Sequence, residues 1–269
     1  MGGVGGSRKS ATLPITAAVV AVMLSLAQLA TMVGAGMAEA AQGSEVKEAL
    51  RIDLFGDSLA QGLWVGLAHK YRAEKSVTIA DRSQIGTGIT RDDVYDWPKE
   101  IGGLLKASPV KIAVVMIGGN DGQPIRVAGK EYREKVGTEL WKQTYGDRVE
   151  QVIAALQSSG AAVYWVSLPI QRDAARDETG RMINDIVRDR AGKRGATFVD
   201  IYPLFADAQG HYSAYLPDKS GRSRLMRASD GLHFTADGWF AVSDYLIEQM
   251  AKNQAIAAMI EAVTPKSSN

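Results

Sequence analysis

The stretch RIDLFGDSL at residues 51–59 decides the fold class, because it joins a short apolar run directly to a polar turn and a helix. Its first part, Arg51–Phe55, has the length and apolar character of a buried strand. Its last residue begins an amphipathic segment, Leu59–Glu74, that predicts a helix. A strand that leads straight into a helix is the first half of a βαβ unit, which favours a parallel sheet.

Strand and helix patterns alternate along the rest of the chain. Further apolar runs of strand length lie at Val77–Arg82, Lys111–Ile117, Ala162–Leu168 and Thr197–Tyr202. Amphipathic segments predict helices at Arg91–Lys106, Glu139–Ser158, Asp173–Lys193 and Ala236–Ala251. The strand runs are almost continuously apolar, so we expect them to be buried on both faces of a parallel sheet. The pattern predicts one α/β domain over residues 41–269, with a doubly wound sheet.

The composition excludes several classes of protein. The 269 residues include 31 Lys and Arg, 30 Asp and Glu and no Cys, and 46% of them are hydrophobic. These proportions are those of a globular chain and not of a disordered or fibrous one. A net charge of +1 gives no basic footprint for nucleic acid. Without cysteine there is no disulfide scaffold, thiolate nucleophile or Cys-ligated metal site.

The first 40 residues predict an export signal. Arg8 and Lys9 precede a charge-free apolar stretch, Ile15–Ala38, and the A-x-A pattern Ala38-Glu39-Ala40 follows it. We therefore expect cleavage near residue 40 and a protein that works in the periplasm or outside the cell. The alternative is an uncleaved inner-membrane anchor, because residues 15–38 exceed the roughly 18 apolar residues that span a bilayer.

Candidate catalytic residues follow the ends of the predicted strands, where an open parallel sheet binds its ligands. Ser58 comes after the first strand and would lie at a helix N-terminus, where backbone N–H groups favour a developing oxyanion. After the third strand, Gly118-Gly119 allows close approach of a ligand, and the Asn120 amide is a neutral donor. The plainer alternatives are that Ser58 is only an N-cap and that residues 118–121 form a turn.

A second candidate cluster is Asp230-Gly231-Leu232-His233, near the C-terminus. The spacing of three places Asp230 and His233 on one side of a turn. The carboxylate can then hold the imidazole Nδ1–H and leave Nε2 free as a base. Of the other two histidines, His69 falls within a predicted helix and His211 in a polar loop without a well-spaced acid. The alternative for the pair is an ordinary surface loop.

These residues together resemble the four signature blocks of the SGNH (GDSL) hydrolase superfamily. The blocks are Gly56-Asp57-Ser58-Leu59, Gly88, Gly118-x-Asn120-Asp121 and Asp230-x-x-His233, in the family's order. The resemblance spans nearly the whole chain after residue 40. Tyr95-Asp96-Trp97-Pro98 and the run Asp230–Thr235 are similar to a less characterised, exported bacterial branch. The lipase elbow G-x-S-x-G does not occur, so the chain is not an ordinary α/β-hydrolase.

The resemblance implies a three-layer α/β/α sandwich with a flavodoxin-like, parallel five-stranded sheet. It also implies ester hydrolysis through an acyl-enzyme, with Ser58 as nucleophile, His233 as general base and Asp230 orienting the imidazole. The oxyanion hole would consist of the Ser58 and Gly88 backbone N–H groups and the Asn120 side chain, with Gly86 as the neighbouring alternative to Gly88. With three histidines and no cysteine, we expect no metal ion or cofactor.

Substrate and acceptor stay open at this point. An acyltransferase would use the same acyl-enzyme, and a non-catalytic envelope-binding protein could keep the fold. Two long polar segments, Gly122–Thr138 and Pro203–Ser229, interrupt the strand–helix alternation, and long loops often carry function. The second contains a basic loop, Tyr215–Arg227, where we expect Arg227 to bind an anionic acyl chain or glycan, unless the loop is simply solvated. Export favours an acylated small molecule or glycan as substrate.

Overall fold

The computed structural model describes residues 1–3, 50–108 and 110–263. The chain divides into two compact units, Met1–Lys47 and Glu48–Asn269, and every element below belongs to the second. The export signal or anchor expected over residues 1–40 lies outside the described ranges, apart from its first three residues. No helix within those ranges is long and apolar enough to cross a membrane.

Strands and helices alternate as the sequence predicts. In chain order the strands are β1 (Leu50–Gly56), β2 (Val77–Ser83), β3 (Ile112–Met116), β4 (Ile125–Arg126), β5 (Arg133–Glu134), β6 (Ala162–Val166), β7 (Thr197–Val199), β8 (Tyr215–Pro217) and β9 (Ser223–Leu225). The helices are α1 (Ser58–Lys70), α2 (Trp97–Ala107), α3 (Glu139–Gln157), α4 (Ala174–Lys193), α5 (Ala236–Met250) and α6 (Gln254–Val263), with a 3-10 helix at Tyr202–Phe205.

Five strands form one parallel sheet in the order β2-β1-β3-β6-β7. This is the flavodoxin-like order that the resemblance implies. The chain runs from β1 outward to β2 on one side, and from β3 through β6 to β7 on the other. Because such crossovers are right-handed, the reversal places helices on both faces of the sheet. Helix α1 packs against α5, and α3 packs against α2 and α4, which gives the expected α/β/α sandwich.

The core lies along the three central strands. Every residue of β3 is buried, as are all but one residue of β1 and all but one of β6. Burial on both faces is therefore confirmed for these strands. Strand β2 lies at the edge of the sheet and is only half-buried. The buried strands hold the carboxyl edge of the sheet in place, which is where the candidate residues lie.

Two element boundaries differ from the predicted ones. The helix predicted from Arg91 begins at Trp97, because the Asp96 side chain caps it and Pro98 occupies its first turn. The strand predicted to end at Tyr202 ends at Val199 instead, and the 3-10 helix begins at Tyr202. The long polar segments contain two short antiparallel hairpins, β4–β5 and β8–β9. Helix α6 lies beyond the last predicted helix.

Candidate active site

Ser58, His233 and Asp230 form one hydrogen-bonded chain at the carboxyl edge of the sheet. Ser58 Oγ lies 2.8 Å from His233 Nε2, although 175 residues separate them along the chain. His233 Nδ1 lies 2.6 Å from Asp230 Oδ2. The structure therefore brings together the three residues of the implied triad, in the order hydroxyl, imidazole, carboxylate.

Asp230 is held by its own turn while it holds His233. Its Oδ1 atom accepts hydrogen bonds from the backbone N–H groups of Leu232 and His233, both at 2.9 Å. Partial burial acts to raise the pKa of Asp230, but the hydrogen bonds from the His233 ring and these two N–H groups outweigh it and lower the pKa to about 2. Asp230 is therefore ionised at neutral pH, and its charge favours the imidazole tautomer with the proton on Nδ1.

Ser58 is the first residue of α1, but it does not cap the helix. Asp57 is the cap, because its Oδ1 atom accepts a hydrogen bond from the Leu59 N–H at 2.9 Å. The interpretation of Ser58 as an N-cap is therefore wrong, and its hydroxyl faces His233. Gly56 permits this sharp connection: its φ is +138°, and a Cβ there would overlap the Met116 carbonyl oxygen.

The expected oxyanion donors lie at the ends of three neighbouring strands. Ser58 follows β1 in the middle, Gly88 follows β2 on one side, and Asn120 follows β3 on the other. Asn120 Nδ2 donates one hydrogen bond to the Thr87 carbonyl at 2.8 Å, which fixes the amide across the site and leaves its second proton for a ligand. Among the described residues, the backbone N–H groups of Ser58 and Gly88 donate to no acceptor.

The buried carboxylate of Asp57 ties the first block to the third. Its Oδ2 atom accepts hydrogen bonds from the N–H groups of Gly118 and Gly119, both at 3.0 Å. Asp57 is 0% exposed. Burial raises the pKa of Asp57 to about 6, although the hydrogen bonds from Leu59, Gly118 and Gly119 oppose this shift. Asp57 thus fixes the Gly118–Asn120 loop beside the start of α1.

The buried carboxylate of Asp121 ties the third block to the second block, which contains Gly88. It is fully buried and accepts hydrogen bonds from the N–H groups of Ile89 (3.0 Å) and Thr90 (2.9 Å) and from the Tyr145 hydroxyl (2.9 Å). Burial raises the pKa of Asp121 against these hydrogen bonds. A Cβ on Gly88 would overlap an Asp121 carboxylate oxygen, so only glycine fits there, whereas Gly86 faces open space. The structure therefore places Gly88, and not Gly86, inside this network.

The motif Tyr95-Asp96-Trp97-Pro98 supports the same loop. Trp97 is buried, and its Nε1–H donates to Thr87 Oγ1 at 3.0 Å. Thr87 in turn donates to the Gln84 carbonyl at 2.6 Å and accepts from Asn120 through its own carbonyl. The sequence identified this motif only as a branch signature; in the structure, its Trp97 supports the loop that carries Gly88 and contacts Asn120.

Arg227 is buried and does not line the cleft described below, which corrects the expectation that it binds an anionic acyl chain or glycan. It is 1% exposed, and its guanidinium donates to the backbone carbonyls of Ile170 (2.7 Å) and Leu232 (2.8 Å). A guanidinium already bound to buried carbonyls cannot also grip a carboxylate from solvent. The other cations of the loop form ion pairs with nearby acids; these cations are Lys219, Arg222 and Arg224, and the acids are Asp218, Asp244 and Glu248.

A cleft of about 410 Å³ is lined by the loops that follow β3 and β6, by helix α4 and by Leu232, the chain neighbour of His233. A Cβ placed on Gly119 would lie 3.4 Å from both the Leu59 and Leu232 side chains, the chain neighbours of Ser58 and His233. The cleft therefore begins beside the proposed reacting groups. Its lining residues are Gly118, Gly119, Asn120, Gly122, Leu168, Gln171, Ala175, Arg176, Thr179, Gly180, Ile183 and Leu232.

The other two histidines take no part in this arrangement. His69 stacks on Phe240 with ring centroids 4.5 Å apart, and His211 is exposed. Within residues 50–108 and 110–263, no group of three or more His, Cys, Asp or Glu side chains is placed to hold a metal ion.

Solved hydrolases share this fold at low sequence identity. An alpha/beta hydrolase enzyme from the metagenome of Lake Arreo, Spain, has 16% identity and a TM-score of 0.53, over 80% of this chain and 97% of that chain. The psychrotrophic esterase EstA from Pseudoalteromonas sp., in a structure inhibited by monoethylphosphonate, has 15% identity and a TM-score of 0.51, over 76% and 98% of the two chains. A member of the lipolytic protein G-D-S-L family from Veillonella parvula has 17% identity and a TM-score of 0.50, over 74% and 97%.

The family assignment rests on a match in sequence. No curated protein matches the chain. The family model described as "Protein of unknown function (DUF459)" matches residues 51–249, which include every residue of the candidate site. The chain, which has the fold of the SGNH (GDSL) hydrolases, therefore belongs to the DUF459 family.

Proposed function

We propose that this protein is a serine ester hydrolase that removes an acyl group through an acyl-enzyme. The observation that carries the proposal is the relay from Ser58 Oγ to His233 Nε2 (2.8 Å) and from His233 Nδ1 to Asp230 Oδ2 (2.6 Å). A hydroxyl in such a relay is activated because the imidazole accepts its proton and the carboxylate stabilises the resulting cation. The likeness in fold to an esterase and to a lipolytic G-D-S-L protein supports this reaction class.

In the proposed first half-reaction, Ser58 Oγ bonds to the acyl carbonyl carbon and its proton passes to His233 Nε2. The carbonyl oxygen becomes an oxyanion and accepts hydrogen bonds from the Ser58 and Gly88 N–H groups and from Asn120 Nδ2. The ester C–O bond then breaks, and the alcohol oxygen takes the proton from Nε2. In the second half-reaction, water attacks the acyl group with His233 again as base, which releases the carboxylic acid and free Ser58.

The substrate we propose is an acetyl or succinyl ester of a glycan or small molecule in the cell envelope or outside the cell. The apolar stretch at residues 15–38 and the A-x-A pattern after it support export. A cleft of about 410 Å³ suits a short acyl group with part of its alcohol. Arg176 is the one charged residue that lines it, and within the described residues its guanidinium has no ion-pair partner. This charge favours an acyl group that ends in a carboxylate.

The reaction class is tested by hydrolysis of p-nitrophenyl acetate with the full chain. We expect turnover that Ser58→Ala reduces by at least about 10³-fold, since the nucleophile is lost. Ser158→Ala, an exposed serine at the end of α3, is the matched control and keeps full activity. Turnover in Ser58→Ala close to that of the unaltered chain would overturn the proposal. Ser58-dependent transfer of acetyl to a glycan hydroxyl, without hydrolysis, would instead identify an acyltransferase.

The acyl preference is tested by comparing p-nitrophenyl hemisuccinate with p-nitrophenyl acetate. We expect kcat/KM to favour the succinyl ester by about two- to fivefold, as an exposed charge pair allows, and Arg176→Gln to remove that preference. Arg181→Gln is the control, because Arg181 is on the same helix but is paired with Asp177 at 3.3 Å. An equal ratio in the unaltered chain and in Arg176→Gln would show that Arg176 does not read the acyl group.

A further inference from the structure

The buried guanidinium of Arg227 joins two loops that form the candidate site. One is the cleft-wall loop, residues 167–173, which follows β6 and contributes Leu168 and Gln171 to the cleft. The other is the histidine loop, residues 228–233, which carries Asp230 and His233. Arg227 Nη1 donates to the Ile170 carbonyl in the first loop at 2.7 Å. Nη2 donates to the Leu232 carbonyl in the second at 2.8 Å.

Further contacts draw the whole histidine loop around this guanidinium. Nη2 also lies 3.3 Å from the Gly231 carbonyl, and Nε lies 3.4 Å from the His233 carbonyl. The backbone closes the same loop at its base, where Arg227 bridges Phe234 and the Ala228 N–H donates to the His233 carbonyl at 2.9 Å. Three successive carbonyls of the loop, from residue 231 to residue 233, therefore point at one side chain.

No other group in the described residues replaces these contacts. The Ile170 and Leu232 carbonyls accept hydrogen bonds from Arg227 alone. Removing the guanidinium would leave two buried carbonyls unsatisfied, on the two sides of the gap between the loops. Between the two loops, only two hydrogen bonds from Arg172 of the cleft-wall loop would then remain, from its N–H to the Gly231 carbonyl and from its Nη2 to the Ser229 carbonyl.

The positive charge of Arg227 is stabilised by carbonyls and aromatic rings. No carboxylate of the described residues pairs with it, and its Cζ atom lies 4.6 Å from the Phe234 ring centroid and 5.0 Å from that of Tyr212. Burial lowers the pKa of Arg227 to about 10, so the side chain stays protonated at neutral pH. Burying a cation without a counter-ion costs free energy, so the hydrogen bonds that the guanidinium makes are needed to stabilise it.

Building on the proposed function, we propose that Arg227 is a positioning residue: it fixes the histidine loop against the cleft-wall loop, so that His233 Nε2 faces Ser58 while Leu232 closes the cleft. Arginine suits this task because its planar guanidinium offers five donors in a fixed fork, whereas a lysine offers three donors from one atom and cannot span the same carbonyls. Displacement of a catalytic group by about 1 Å can cost about 10²-fold in rate.

The test compares Arg227→Met, Arg227→Lys and Leu156→Ala in the full chain. Leu156 is buried at the end of α3, and its truncation controls for lost stability alone. We expect Arg227→Met to lower kcat for p-nitrophenyl acetate by about 10²-fold with KM changed less than about threefold. Arg227→Lys should recover part of this loss. Leu156→Ala should keep kcat unchanged once corrected for the folded fraction.

A second measurement reports on the hydrogen bond between His233 and Asp230 and does not require turnover. The short hydrogen bond between His233 Nδ1 and Asp230 Oδ2 should give a strongly downfield imidazole proton in the ¹H NMR spectrum. We expect this signal in the unaltered chain, in Ser58→Ala and in Leu156→Ala, and its loss or broadening in Arg227→Met. If Arg227→Met does not fold, a shifted or broadened signal in Arg227→Lys carries the test.

The two proposals can fail separately. An unaltered chain without esterase activity would count against the proposed function, while the NMR signal would still report on Arg227. Retention of kcat in Arg227→Met, or a downfield signal identical to that of the unaltered chain, would overturn the positioning role.

Discussion

Asp57 and Asp230 both serve the Ser58 site, but their surroundings are opposite. Asp57 is 0% exposed and accepts hydrogen bonds from backbone N–H groups of helix α1 and of the loop after β3, whereas the Asp230 side chain is 50% exposed and binds the His233 ring. Burial raises the pKa of Asp57 to about 6. For Asp230 burial also acts upward, but the His233 hydrogen bond and two backbone N–H groups lower the pKa to about 2.

The difference separates two tasks within one site. The buried carboxylates, Asp57 and Asp121, join strand-end segments and so fix the proposed nucleophile and oxyanion donors. The exposed carboxylate, Asp230, contacts the ring of a single side chain, His233, the proposed general base. The strand-end part of the site is thus anchored to the sheet, whereas His233 lies on a loop whose carbonyls accept hydrogen bonds from the Arg227 guanidinium.

Asp230→Asn should give the largest effect of the substitutions considered, a loss of activity with little loss of stability. The amide can still accept from the Leu232 and His233 N–H groups, but it no longer stabilises the imidazolium or selects the right tautomer. We expect kcat to fall by about 10⁴-fold while the free energy of unfolding changes by less than about 1 kcal/mol. Ester hydrolysis and urea unfolding measure the two quantities. A fall in kcat of less than tenfold would contradict the assigned role.

Asp121→Asn should instead lower the stability of the folded protein. An amide NH₂ would replace one acceptor that now receives the Ile89 N–H, so a buried donor would lose its partner. We expect the free energy of unfolding to fall by about 1–3 kcal/mol in urea. The matched control is Asp185→Asn, which breaks an exposed pair with Arg188 and should cost less than about 0.5 kcal/mol. Equal losses of unfolding free energy in both variants would show that the buried hydrogen bonds of Asp121 do not stabilise the fold.

The smallest expected effect is the opposite pH dependence of the stability contributed by Asp57 and by Asp230. Because the folded pKa of Asp57 is raised to about 6 from an ordinary 3.8, the folded state holds one more proton between pH 4 and pH 6. The stability that Asp57 contributes is full below pH 4 and is lost as pH rises through 6. Asp230, with its pKa lowered to about 2, contributes stability above pH 4 that is lost as pH falls through 2. Carboxyl ¹³C NMR titrations of the two side chains check both values; coincident midpoints near 4 would contradict the assigned surroundings.

The sequence predicted the parts of the site that depend on short-range pattern. Strands that read as apolar runs, and helices that follow them, place Ser58, Gly88 and Asn120 at one edge of a parallel sheet. The spacing of Asp230 and His233 predicts their mutual contact within a single turn. Where predicted boundaries failed, a local cause was present in the sequence, such as Pro98 after the capping Asp96.

The rest could not be predicted, because it depends on contacts between residues far apart in the chain. Asp57 accepts from Gly118 across 61 residues, and Arg227 donates to Ile170 across 57. Nothing in the basic loop distinguishes Arg227 from Arg222 or Arg224, yet those two are exposed and ion-paired while Arg227 is buried. Burial is a property of the assembled fold, so charge alone gave the wrong role for Arg227.

The role of Ser58 as nucleophile is tested most directly by reaction of the full folded chain with a fluorophosphonate, followed by intact mass measurement and peptide mapping. We expect one phosphonyl adduct per chain, located at Ser58, absent in Ser58→Ala and formed much more slowly in Asp230→Asn. An adduct on another serine, or no adduct on the folded unaltered chain, would contradict it.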